Sequence, residues 1–129
     1  AKKMGKVEWE RRRREAEVLL VFAVAVYRQQ VLAGRHFLHE HPAEAASWRH
    51  PAVAKLLAMP GVGAVAADMC QFGMMTSAAG GGQAPAKKPT RFMSSSPAML
   101  ERLSRKCRGE HAHAPLLGGT RARDAARYP

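Results

Sequence analysis

Acidic residues, aromatic rings and cysteines are all scarce in this chain of 129 residues. Ten Asp and Glu stand against 21 Lys and Arg, aromatic side chains make up 6%, and there are two cysteines. Two cysteines are too few for the disulfide framework that holds small secreted domains together. No basic segment followed by an apolar stretch and a small-residue cleavage site opens the chain, so a reduced, intracellular protein is the expectation. The longest uncharged apolar run, Val18 to Tyr27, is ten residues, whereas a membrane-spanning helix requires ~20; no transmembrane segment is expected. With so few rings, burial has to come from Ala, Val, Leu and Met. At 47% hydrophobic residues, one modest core and a single domain fit the length.

The shortage of acids leaves a formal net charge of +11. The basic groups gather before residue 36 and after residue 80, around an apolar, nearly neutral middle. Two readings fit: contact with a polyanion such as nucleic acid, or solvated basic flanks around an ordinary core. Arg11 to Arg14 sit on a predicted helix and point around its whole circumference, so they form no single-sided stripe. Lys87, Lys88 and Arg91 on or beside a loop, with Arg102, Arg105, Lys106 and Arg108 on the next helix, make the better phosphate-contacting surface. No aromatic residues interleave with them to stack bases, so such binding would be weak and sequence-tolerant.

From Val7 to Ala33 the residues are helix formers without Pro or Gly, and Gly34 supplies the stop signal. One long helix is predicted, with i,i+4 pairs such as Glu8 with Arg12 and Glu10 with Arg14. Beyond Ala16 it is apolar nearly all round, which implies a sheet beneath it and a further covering element. The run from Arg35 to Pro42 reads as a strand ending in a polar loop. Ala52 to Met59 reads as a short helix with Pro51 near its first turn. Val62 to Ala67 is a second strand, and Met69 to Met75 is either loop or strand. Residues 78–89, rich in Gly, Ala and Pro, read as a flexible loop. Thr90 to Ser94 is a strand, Ser96 caps and Pro97 opens a helix to about Arg105 or Cys107, His113 to Leu117 is a last strand, and residues 120–129 are a frayed basic tail. This order predicts an α/β fold: a partial Rossmann-like layered sheet with flanking helices and a long N-terminal helix. Ligands of such sheets sit at the carboxyl ends of the strands, which points to Glu40 and Asp68.

Cys107, His111 and His113, joined by Cys70 from another element, supply two thiols and two imidazoles, the ligand set of a tetrahedral zinc site. The spacing Cys-x3-His-x-His is not that of a regular finger. The opposing reading makes Cys70 and Cys107 small buried hydrophobes and places the two histidines on one face of a strand, alternating with Ala112. In the cluster His36, His39, Glu40 and His41, a strand puts His39 and His41 on one face and Glu40 on the other, which argues against a chelate. Glu40 is either a functional acid or a structural carboxylate that caps the next helix or pairs with Arg35. Trp48 reads as a packing anchor.

Across Gly34 to Pro42, Ser47-Trp48, Asp68 to Gly73, Lys88 to Met93, Cys107 with His111-Ala112-His113, and Leu116 to Gly119, the chain resembles a segment of retroelement polyproteins, especially of protists such as dinoflagellates. That segment is similar in turn to the second half of a Rossmann-type methyltransferase domain of the DNA cytosine-5 class. The resemblance implies that Glu40-His41-Pro42 occupies the place of an acidic Glu-Asn-Val or Glu-Asn-Pro tripeptide at a strand end, with His in place of Asn. There the glutamate would hydrogen-bond the ring nitrogen of a flipped cytosine and favour attack by a cysteine thiolate. It also implies a strand-end position for Gly73 and a nucleic-acid-facing one for Lys88-Pro89-Thr90. The Pro-Cys nucleophile motif and a G-x-G-x-x-G donor loop are absent; Gly80 to Gly82 follow no strand-to-helix pattern. S-adenosylmethionine would require an upstream half.

The expected function is that of a partial, non-catalytic methyltransferase-like domain of retroelement origin that binds nucleic acid weakly. The alternative is a degenerate structural or interaction domain of a polyprotein with no ligand of its own. The start at Ala1 and the stop at Tyr128-Pro129 suggest a fragment, and the apolar girth of the first helix predicts dimerisation or aggregation of the isolated chain.

Overall fold

The helix-forming run without Pro or Gly becomes α1, Lys6–Leu32, in a computed structural model that describes residues 5–116. Its start carries the ion pairs Arg12–Glu8 at 2.9 Å and Arg11–Glu15 at 3.1 Å, each worth only ~0.2–0.5 kcal/mol on an exposed helix face. Its end is closed by two backbone bonds, Gly34 N–H to the Val31 carbonyl and Arg35 N–H to the Gln30 carbonyl. Together they form a Schellman motif, and Gly34 takes the left-handed φ of 72° that the motif places just past the helix.

The elements that follow are β1 (Leu38–Pro42), a 3₁₀ turn (Ala46–Arg49), α2 (Pro51–Leu57), β2 (Gly63–Asp68), a second 3₁₀ turn (Met69–Phe72), β3 (Met75–Ser77), β4 (Gln83–Pro85), β5 (Pro89–Ser94) and α3 (Pro97–Leu103). Pro51 and Pro97 each open a helix. His50 and Ser96 cap them, through His50 Nδ1 accepting from Ala52 N–H at 3.1 Å and Ser96 Oγ from Met99 N–H at 3.3 Å.

The mixed α/β class expected from the sequence is present, with a different sheet. Its order is β1-β5-β2, and β5 is antiparallel to both neighbours. β1 and β2 therefore run parallel to each other with α2 between them in sequence, and β5 fills the gap as in a split βαβ unit. The connection from β2 to β5 contains no α-helix. It folds as the antiparallel hairpin β3-β4, so the chain re-enters the sheet in the opposite direction.

Alternation along β5 divides the core in two. Met93 packs with Phe37, Trp48, Val53 and Leu56, and α1 lays Leu20, Val24, Tyr27 and Val31 over this group. Phe92 faces the other way, into Ala67, Met69, Met74 and Ala86, with Leu100 and Leu103 of α3 beside them. The sheet is thus sandwiched between α1 with α2 on one face and α3 with the hairpin on the other.

Two expectations are corrected. Residues 78–89 are not a structureless loop: β4 lies within them, and Ala86 is fully buried with its N–H on the Met74 carbonyl at 3.0 Å. Small side chains there allow close backbone packing. No strand forms at 113–116 among the described residues, because one backbone bond, Ala114 N–H to the Pro85 carbonyl, replaces a ladder. The basic tail at 120–129 lies outside the described residues. Val18, Val21, Phe22, Val26 and Leu32 of α1 are exposed, as its all-round apolar pattern foreshadowed. Among the described residues no helix is long and apolar enough to cross a membrane.

One half-buried imidazole ties α1 to β1. His39 Nδ1 lies 3.1 Å from the Tyr27 hydroxyl, and its ring meets Trp48 edge-on. Burial, and then neighbouring His41, lower the His39 pKa from its ordinary 6.5 against the opposing pull of Glu40. The unfolded chain therefore takes up this proton first as pH falls, so stability present above about pH 6.5 is lost as pH drops through the lower folded value. Urea unfolding of wild type and His39→Gln at pH 7.5 and 5.5 should show the smaller acid-induced loss in the variant; equal losses would contradict the assignment.

Candidate metal centre

β2 ends at Asp68, and the chain turns at once into the 3₁₀ turn that presents Cys70. Gly73 closes this turn with φ 83°, a conformation open to glycine without strain. On the far side, the chain leaves α3 at Leu103 and is held not by a ladder but by Asp68. The Asp68 N–H donates to the Arg105 carbonyl at 2.9 Å, and its Oδ2 accepts from the Cys107 N–H at 2.8 Å. Asp68 is 1% exposed, and hydrogen bonds to a charged group are the stronger kind, worth ~1.5–3 kcal/mol. Gly109, at φ 76°, then turns the chain back and donates its N–H to Cys107 Sγ at 3.4 Å. Ala114 anchors the segment to the hairpin.

This path brings four side chains together. Cys107 Sγ lies 3.7 Å from His111 Nε2 and 3.5 Å from His113 Nε2, and the two Nε2 atoms are 3.0 Å apart. With Cys70 included, all four ligand atoms lie within 4.8 Å of one another. Around one ion with sulfur at ~2.3 Å and nitrogen at ~2.0–2.1 Å, tetrahedral angles set sulfur–nitrogen separations near ~3.6 Å and nitrogen–nitrogen separations near ~3.3 Å. The cluster can hold a metal ion. The two imidazole planes stand at 82° with ring centroids 4.7 Å apart, an edge-to-face arrangement rather than a stack.

Both cysteines are half-buried, and neither belongs to the two hydrophobic clusters. The histidines do not alternate along a strand, since the segment forms none. Burial pushes the Cys70 thiol up; the Gln71 amide opposes this, and the Cys107 thiol and Asp68 carboxylate reinforce it. Ion binding has to displace that proton.

Glu40 is elsewhere. It lies in the middle of β1, opposite Phe92, rather than at a strand end, because Pro42 continues the pairing as far as Thr90. The cap of the following helix is His50, and Arg35 donates to Gln30 at 2.7 Å. His39 and His41 do share the opposite face, with ring centroids 6.0 Å apart.

The seven cations do not form one stripe. Arg91 pairs in register with His41 and lays its guanidinium over buried Trp48 at 4.6 Å, on the α1 side of the sheet. Trp48 is the packing anchor its position suggested, and its Nε1 donates to the Pro42 carbonyl at 2.9 Å. Lys88 adopts φ 32°, an unusual value for a residue with a side chain, while its carbonyl accepts from Met69 N–H at 3.3 Å. That bond places Lys87 and Lys88 beside the Cys70 turn. Arg105 lies over Phe72 at 5.2 Å, and Lys106 Nζ is 3.9 Å from Asp68 Oδ2. Arg102 and Arg108 are exposed. Six of the seven thus lie on α3 or next to the Cys/His cluster. The organising role of Asp68 left only a faint trace in the sequence: a carboxylate directly after an apolar strand.

A divalent ion should raise the thermal midpoint of the full chain and a chelator should lower it, with Cys107→Ser insensitive to both; a wild-type midpoint indifferent to metal would contradict the site. Asp68→Ala should cost about 1.5–3 kcal/mol in denaturant unfolding and weaken metal binding. Compared with known proteins, the chain matches no protein-family model, no curated protein and no solved structure.

Proposed function

We propose that the chain is a zinc-stabilised, non-catalytic domain that holds nucleic acid through the cations around its metal loop. The convergence of Cys70, Cys107, His111 and His113 carries this reading. Two sulfurs and two imidazole nitrogens suit zinc, and such a filled tetrahedral set is the structural kind, with no open position for water or substrate. Thiolate ligands fit a reducing compartment. The segment from Ser104 to Leu116 has no helix or strand of its own, so an ion there would fix the loop that carries Arg105, Lys106 and Arg108. Lys87, Lys88 and Arg102 extend the same basic region. Backbone phosphate contact from such a surface is sequence-tolerant.

The likeness to retroelement segments of methyltransferase type agrees with this reading as a proposal about origin. Methyl transfer itself would need a donor loop and a nucleophile that the sequence lacks, and a glutamate at a strand end. A second reading, an interaction domain of a larger polyprotein, is favoured by the exposed apolar face of α1.

Fluorescence anisotropy with a 20-nucleotide single strand tests the first reading. Binding should be measurable at 50 mM salt, fall steeply by 200 mM, and weaken at least several-fold in the triple variant Arg102→Gln, Lys106→Gln, Arg108→Gln. Undetectable or salt-insensitive binding would discard nucleic acid and leave the interaction reading.

A further inference from the structure

A cavity of about 620 Å³ opens between α1, β1 and the first 3₁₀ turn, on the opposite face of the sheet from the packing of α3. It exists because small residues, Ala16 and Ala23 on α1 and Ala46 on the turn, stand where larger ones would fill the space. Leu19 and Leu20 form an apolar wall. The other wall is aromatic: His39, fixed by the Tyr27 hydroxyl at 3.1 Å and edge-on to Trp48, with the His41 ring beside it.

The charges around this cavity are unequal. Its one carboxylate, Glu17, is engaged by His50 Nε2 at 3.1 Å. Arg13 and Arg49 also line it, the Arg13 guanidinium 5.6 Å from the centre of the Trp9 ring, and the ion pairs of Glu8, Glu15, Glu17 and Asp68 involve neither arginine. The volume lies in the range of ~300–1,000 Å³ typical of small-molecule sites, where apolar walls hold the body of the ligand and a few polar groups orient it. Guanidinium groups are suited to a planar oxyanion. We infer that this cavity binds a small amphipathic carboxylate, its apolar body against Leu19 and Leu20 and its carboxylate at Arg13 and Arg49.

This site is separate from the metal loop and independent of the nucleic-acid reading. The test uses the full chain and calorimetric titration with decanoate as probe and decanol as its uncharged counterpart. Decanoate should bind at one site per chain, at least tenfold more tightly than decanol. Arg13→Gln with Arg49→Gln should reduce decanoate affinity at least tenfold, and Ala23→Trp should abolish it by filling the cavity. Phe22→Ser, on the exposed side of α1, should leave affinity within about twofold. Circular dichroism checks that each variant folds, and the two arginine substitutions, at solvent-exposed positions, keep the test open if Ala23→Trp does not fold. No decanoate binding at millimolar concentration, equal binding of decanol, or unchanged affinity in the arginine variant would overturn the proposal. Loss of binding in Phe22→Ser would move the ligand to the outer face of α1 and overturn it too.

Discussion

A single buried carboxylate ties the two halves of the described chain together. Asp68 ends the edge strand β2, and through its N–H and its Oδ2 it fixes the backbone at Arg105 and Cys107. Without a helix or ladder after α3, the segment from Ser104 to Leu116 has little else to fold against: one bond to the hairpin at Ala114 and the packing of Leu116. The cost of burying a carboxylate is offset only when it is hydrogen-bonded or paired. Here the Cys107 amide and the nearby Lys106 ammonium share that role, and the outcome is a fixed position for the Cys107 thiol opposite Cys70.

That position depends in turn on β5. Because both faces of β5 are buried, Phe92 and Met93 build separate cores on opposite sides of one strand. The α1 side collects the large rings Phe37, Trp48 and Tyr27 and the histidines of β1. The α3 side sets Phe92 edge-on to Phe72 among Met69, Met74 and Ala86, which pack the hairpin and the Cys70 turn. The two candidate sites therefore lie on different layers: a cavity lined by Arg13 and Arg49 under α1, and a sulfur and imidazole cluster at the end of β2. A small domain that buries a limited area gains from such a metal staple.

Local signals were legible. The α1 span, its glycine stop, the two proline-initiated helices and the strands β2 and β5 follow from periodicity and capping, which act over a few residues. Strand direction was not legible, because it is fixed by the connection from Met69 to Lys88. There, two three-residue strands hide in a Gly- and Ala-rich stretch whose packing relies on backbone bonds and on the buried Thr76 and Ala86. The Rossmann-like layering expected from alternating helices and strands gives way there to a sheet whose central strand β5 is antiparallel to both neighbours. For the site, all four ligand types, Cys70, Cys107, His111 and His113, were visible in the sequence, while the path that brings them together was not, since it depends on the tertiary role of Asp68. Glu40 was misplaced because Pro42 looks like a terminator and instead sits on the edge strand β1, where proline can be accommodated.

The most direct measurement is X-ray absorption at the zinc edge on the full chain purified with its metal. One zinc per chain, with two sulfur ligands near ~2.3 Å and two nitrogen ligands near ~2.0–2.1 Å, is the predicted result. A folded chain that carries no metal, or a coordination shell dominated by oxygen, would contradict the account.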